Sequence, residues 1–378
     1  MHTYDRYPVA LVRGEGAKLW DTEGKQYIDL TSGIGVNALG HANPAVVGAV
    51  TEQAGKMMHC SNLFYSEPMV KAAEHLCAAS GMQRVFFANS GAEANEGIIK
   101  LARKYSHDKY GAGRDKILTL KNSFHGRTIT TLKATGQEKF HQHFAPFPEG
   151  FDYIETGSIH DLEAHADASV CAVLMELVQG ESGVVPLAHD YVQAAAAFCA
   201  AHDILLLIDE VQTGVGRTGT FFSYQQYGIT PDAVSTAKGL GGGLPIGAVL
   251  ASAKCADVLK AGEHGSTFGG NALSAAAACA VMDVIDQEAF LREVREKGAY
   301  FMEALRAIHS PHVRAVRGMG LMIGIETDLN TPKDFVLNLM EKGVLALTAG
   351  KNVIRLLPPL IISYEEIDAA VKVMAEIL

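Results

Sequence analysis

The rhythm of hydrophobic and polar positions changes twice along the chain. Near the start, two short alternating runs within residues 18–30 flank a polar, glycine-containing stretch, which predicts a β-hairpin. Apolar positions then recur at helical spacing over residues 44–58. From Val85 the pattern becomes strands alternating with helices. Compact apolar runs at 85–87, 116–120, 171–175, 204–208 and 247–250, and the shorter 233–235, are strand candidates. Helical patterns at 92–105 and 191–201 lie between some of them. This alternation predicts an α/β fold with a mostly parallel central sheet covered by helices on both faces. Past an alanine-rich helix, strand-like runs at 321–325 and 353–357 precede a closing helix. Its start is marked by Ser363 and, three residues on, Glu366, a capping-box pair. The expected organisation is an N-terminal segment (1–45) packing with a small domain, a large domain (46–285) and a small C-terminal α+β domain (286–378).

Composition narrows the class without naming a chemistry. The 378 residues are 48% hydrophobic and 20% charged and include 38 glycines, as in ordinary globular enzymes. A formal charge of −10, with no basic block, argues against a general nucleic-acid surface. Cys60, Cys77, Cys171, Cys199, Cys255 and Cys279 are scattered without metal-binding or paired spacing, which predicts free thiols in a reducing compartment. No signal pattern opens the chain and no apolar run reaches membrane-spanning length, so a cytoplasmic protein is expected.

In parallel sheets of this kind, ligands bind beyond the carboxyl ends of the strands. Lys238 lies there, a lone lysine ahead of a glycine run, and Asp209 ends the apolar run 204–208. An amine able to form a Schiff base and a carboxylate at a buried strand end are the minimal equipment for pyridoxal 5'-phosphate. The carboxylate keeps the ring nitrogen protonated so that the ring withdraws electrons. Ser90, Gly91 and Ala92 link a strand to a helix, where small residues and free N–H groups suit a phosphate; alone, Ser90 could be a simple N-cap. Glu210 follows Asp209, and both are expected among the cofactor-binding residues; only one of the two acids can meet the ring nitrogen, and Asp209 directly ends the strand. Val211 would pack on a ring face and Gln212 would hydrogen-bond the ring hydroxyl. Phe124 offers a stacking surface or a core aromatic, and Arg127 a bidentate carboxylate site or a solvated cation. His125 reads as structural, since the lysine already supplies a base. The Gly214-x-Gly216-x-x-Gly219 run opens no helix and reads as a loop, not a dinucleotide site. His141 and His143 lack a carboxylate at ligand spacing, so no metal site is expected.

Taken together, the segments 89–95, 123–128, 179–183, 209–214, 236–240 and 266–271 resemble the class III pyridoxal-phosphate-dependent aminotransferases, in order and over nearly the whole chain. The resemblance implies a fold-type I homodimer with active sites at the subunit interface, one cofactor per subunit. It places Gly91 and Ala92 at the phosphate, Phe124 on the ring, Asp209 at the ring nitrogen and Lys238 in the Schiff base. Thr267 would reach the partner's phosphate and Ser266 the partner's substrate. Arg127 and Arg355 would hold substrate carboxylates, with Glu181 pairing Arg355 between half-reactions. Segments 61–65 and 124–128 are most similar to members that pass the δ-amino group of N2-acetylornithine to 2-oxoglutarate, in arginine biosynthesis. Other ω-amine donors (succinylornithine, succinyldiaminopimelate, ornithine, 4-aminobutyrate) and an aminomutase stay open. Asn43 stands where relatives often carry His, outside the implied site.

Overall fold

A computed structural model describes residues 1–328 and 332–378. Its centre is a seven-stranded sheet formed, in chain order, by β1 (Arg84–Ala88), β2 (Lys116–Leu120), β3 (Phe151–Ile154), β4 (Val170–Met175), β5 (Leu205–Asp209), β6 (Ala233–Thr236) and β7 (Gly247–Ala251). The spatial order is β1-β7-β6-β5-β4-β2-β3. β7 runs antiparallel to both neighbours, and the other pairings are parallel. Every residue of β4 and of β5 is buried, as expected for strands covered on both faces. The sheet carries one strand more than the apolar runs predict. β3 (Phe-Asp-Tyr-Ile) has Asp152 inside it and lies at the sheet edge, where half-burial relaxes the demand for a continuous apolar run.

The helix after β1 spans Gly91–Tyr110, longer at both ends than its apolar period indicates. The helix Pro44–Lys56 stops short because Met57 turns to an extended conformation. The hairpin forms from Lys18–Asp21 and Gln26–Asp29, held by the Tyr27 hydroxyl donating to Asp21 Oδ2 at 2.7 Å. Its sheet is extended by Val344–Leu345, which pairs in parallel with Gln26–Asp29. An antiparallel sheet of Val313–Met319, Met322–Thr327, Val353–Leu356 and Leu347–Ala349 follows the main one in sequence. Ser363 and Glu366 exchange backbone N–H bonds of 3.1 and 2.9 Å at the start of the closing helix, a complete capping box.

The glycine-rich run 214–219 is a turn that buries Arg217. Its guanidinium Nη1 donates to the carbonyls of Leu321 (3.0 Å) and Pro358 (2.5 Å). Burial pulls this guanidinium down to about 9, offset in part by Asp29. The run therefore pins distant chain segments together, and its turn uses Gly216 and Gly219 at φ +81° and +95°.

Candidate active site

The carboxyl ends of β1, β2, β4, β5 and β6 converge on one cavity of about 620 Å³. Its wall carries Lys238, Asp209, Phe124 and Arg127. It also carries Ser90, Gly91 and Ala92 from one side and Val211 and Gln212 from another. Lys238 opens a short 3-10 turn with φ +43°, a left-handed conformation uncommon for a side-chain-bearing residue and typical of sites where strain is retained for function. Burial lowers the affinity of its amine for a proton, against the opposing charges of Glu181 and Asp209. The neutral amine is the form that attacks a carbonyl or accepts a proton.

Asp209 closes β5 with both oxygens engaged. Oδ2 takes His125 Nδ1 at 2.8 Å and Asn95 Nδ2 at 2.7 Å, whereas Oδ1 takes the Val211 N–H at 3.0 Å. Since a carboxylate only accepts, the proton of the His125 contact sits on Nδ1. Glu210 belongs elsewhere, a correction to its expected place among cofactor ligands. Successive side chains at a strand end point to opposite sides, and Glu210 is turned into the protein. There it accepts from Thr213 Oγ1 (2.5 Å), Ser223 Oγ (2.6 Å) and Tyr224 N–H (2.9 Å).

At the amino end of the Gly91–Tyr110 helix, Ser90 caps Glu93 N–H at 3.2 Å, leaving first-turn N–H groups for an anion. A Cβ at Gly91 would come within 2.5 Å of Val211 Cγ1, so only glycine lets this turn approach the Asp209–Gln212 segment. Arg127 lies with its guanidinium 4.2 Å from the Phe140 ring centroid and 5.5 Å from that of Phe124. No carboxylate pairs with it among the described residues, so its in-plane donors stay available.

Behind Gln212, Arg355 Nη1 donates to Glu181 Oε1 at 2.6 Å and to Gln212 Oε1 at 3.3 Å. Burial opposes the ionised Glu181, but the charge and hydrogen bond of Arg355 outweigh it and hold this carboxyl below its ordinary range. Ser266 and Thr267 are not on the cavity wall; Thr267 is exposed, and Ser266 Oγ accepts from Asn89 Nδ2 at 3.2 Å.

Three residues of the site were not singled out as ligands by sequence. His125 and Asn95 bind Asp209, as described. Glu176 follows β4 as Asp209 ends β5, accepts the Phe124 N–H at 2.8 Å, and lines the cavity. Burial and then the charge of Asp209 push its carboxyl well up, favouring the neutral acid. The signal for it was the one used for Asp209, a carboxylate ending an apolar run.

The residues fit pyridoxal phosphate on structural grounds. A backbone cradle that a Cβ would fill faces a buried carboxylate and an amine across one cavity. On the same wall, His125 Nε2 is buried without a hydrogen-bond partner among the described residues.

Such a site defines an aminotransferase of the pyridoxal-phosphate type, and comparison with known proteins agrees. The family model described as aminotransferase class-III matches residues 1–378, and the chain belongs to that family. It is 53% identical over 378 residues to the acetylornithine aminotransferase of Haemophilus ducreyi, covering 100% of this chain and 95% of that protein. The ornithine aminotransferase of Toxoplasma gondii superposes with a TM-score of 0.95 at 33% identity, covering 100% of this chain and 91% of that one. The N-acetylornithine aminotransferase of Stenotrophomonas maltophilia superposes with a TM-score of 0.87 at 37% identity, covering 99% and 96%. No helix among the described residues is long and apolar enough to cross a membrane.

Proposed function

We propose that this enzyme moves the δ-amino group of N2-acetylornithine to 2-oxoglutarate, giving N-acetylglutamate 5-semialdehyde and glutamate, as a cytoplasmic step of arginine biosynthesis. The observation that carries this reading is the pair of cationic positions. Arg127 is unpaired at the cavity wall, and Arg355 is covered by Glu181. An exchange between an ω-amine and an α-amino acid needs carboxylate sites at two distances from the reacting carbon, and one must be hidden when the longer donor is bound. The relative from H. ducreyi supports the acetylated donor.

Pyridoxal phosphate, when bound, supplies the carbonyl that takes up the amino group and the ring that withdraws electrons from the reacting carbon. Ser90, Gly91 and Ala92 would hold its phosphate, and Asp209 its ring nitrogen. Phe124 and Val211 would flank the ring, with Gln212 at the ring hydroxyl. Lys238 Nζ would be its covalent attachment and would then carry the proton. Burial, which lowers its proton affinity, suits it to take a proton from the substrate carbon and return one. Arg127 binds the distant carboxylate of the donor, and Arg355 the α-carboxylate of glutamate.

A panel of ω-amines assayed with 2-oxoglutarate tests the donor. N2-acetylornithine should give the highest kcat/KM; a higher value for ornithine, a succinylated donor or 4-aminobutyrate would reassign it. Glu181→Ala should leave Arg355 permanently open, so stopped-flow rates should shift toward the glutamate half-reaction and away from the acetylornithine half-reaction. Equal changes in both would count against the switch.

The chain is further proposed to act as a homodimer with shared sites. Thr267 is exposed outside its own cavity, and Leu63, Phe64, Tyr65 and Phe268 are 86%, 67%, 90% and 60% exposed, an apolar surface suited to a partner. Thr267→Glu should repel the phosphate of the partner's cofactor and inactivate its homodimer. Mixed with Lys238→Ala under subunit exchange, it should restore roughly a quarter of unmutated activity, because half of the dimers then hold one intact site. No recovery, with exchange confirmed, would reject the shared site.

A further inference from the structure

Asn95 sits one turn into the Gly91–Tyr110 helix and is 1% exposed. Its Nδ2 donates to Asp209 Oδ2 at 2.7 Å and to the His125 carbonyl at 2.7 Å, and its Oδ1 accepts from Ser235 Oγ at 2.6 Å. This orientation is fixed by chemistry. The carboxylate and the carbonyl can only accept, so the amide nitrogen must face them, and the remaining Oδ1 must face the hydroxyl of Ser235. Both amide hydrogens are used, and a buried network satisfied in this way is rigid.

The consequence falls on Asp209. Oδ2 is occupied by Asn95 and His125, whereas Oδ1 holds only the Val211 N–H and keeps a lone pair for a further donor. We infer that Asn95, held by Ser235, is a positioning residue that presents Asp209 Oδ1, rather than Oδ2, to the ring nitrogen of the cofactor. Asn95 is carried by the helix whose first turn forms the phosphate cradle. It therefore ties the two grips on the cofactor together, fixing the carboxylate relative to the phosphate site. Nothing in the residue type alone points to this role; its three side-chain bonds do.

The inference rests on the pyridoxal-phosphate reading, and its test separates the two. The visible absorption band of the Lys238-bound cofactor is titrated in the holoenzyme. A protonated ring nitrogen lowers the proton affinity of the neighbouring imine, so weakening its partnership with Asp209 raises the midpoint. Asn95→Asp places a second carboxylate against Asp209 and the His125 carbonyl. The expected result is a midpoint raised by about one pH unit or more, with weaker cofactor retention. Ser235→Ala leaves Asn95 Oδ1 buried without its donor, loosening the amide, and should shift the midpoint the same way, by less. In an Asp209→Asn background neither change should shift it further.

His125, Glu176 and Lys238 also face Asp209, and Glu181 and Arg355 face Lys238, but they are common to all variants compared. In Ser235→Ala, which adds no charge, a role confined to packing would lower stability and leave the midpoint in place. An unchanged midpoint in folded, cofactor-loaded Asn95→Asp overturns the inference. If that variant does not fold, an unchanged midpoint in Ser235→Ala does so. Absence of the band from the unmutated protein would instead refute the cofactor reading, and this inference with it.

Discussion

Lys238→Ala should fold and still bind pyridoxal phosphate, yet catalyse transamination about 10³-fold or more slowly than the unmutated enzyme. The Lys238 side chain contributes little to the fold, since no acceptor or carboxylate lies within bonding distance of Nζ among the described residues. Its removal leaves the helix N-terminus, Asp209 and the ring-flanking side chains in place. What would be lost is the proposed proton carrier, an amine whose proton affinity burial lowers, together with the proposed covalent attachment. The loss should therefore appear mainly in kcat. Borohydride reduction followed by peptide mapping should mark Lys238 in the unmutated protein. Labelling at another lysine, or a variant with near-normal kcat, would remove Lys238 from the mechanism.

Asp209→Asn should retain the cofactor more weakly and slow turnover by about 10²- to 10³-fold. The surrounding donors make this substitution informative. Asn95 Nδ2 and His125 Nδ1 both donate to the Oδ2 position, so the new amide must place its oxygen there. Its NH2 then occupies the Oδ1 position, a donor facing the place where a ring N–H is needed. The ring nitrogen must in turn become an acceptor and give up its proton, and the electron sink weakens. Nitrogen-15 NMR of labelled cofactor should report an unprotonated ring in the variant. Normal turnover with a protonated ring would mean that another acid serves the nitrogen. Glu176 would be the next candidate, since it lines the cavity and Glu210 is turned away.

The parts of the site legible in the sequence are those tied to strand ends. Asp209 stands out because an apolar run stops there, and Lys238 because a glycine run follows it; both line the cavity. Glu176 carries the same signal after β4, yet a carboxylate at a strand end gains meaning only when the sheet order sets β4 beside β5. Glu210 went the other way. Adjacent residues at a strand end diverge, and the donors that draw Glu210 inward come from Thr213, Ser223 and Tyr224, beyond the strand. Asn95 was not legible at all. A polar residue in an amphipathic helix reads as solvent-facing, and only the packing of that helix across β5 and β6 buries it against Asp209 and Ser235. The edge strand β3 escaped for a related reason, because its pattern reflects partial burial set by its neighbours.

In the proposed reaction, nitrogen passes from the δ-position of N2-acetylornithine to the α-position of glutamate. This transfer is tested most directly by incubating the holoenzyme with N2-acetylornithine carrying nitrogen-15 at the δ-amine, together with unlabelled 2-oxoglutarate. Mass spectrometry should find the label in glutamate, in equal amount to the N-acetylglutamate 5-semialdehyde formed, and both should vanish in Lys238→Ala. Label that never reaches glutamate, or that moves to another carbon of the donor without 2-oxoglutarate being consumed, would rule out this transfer.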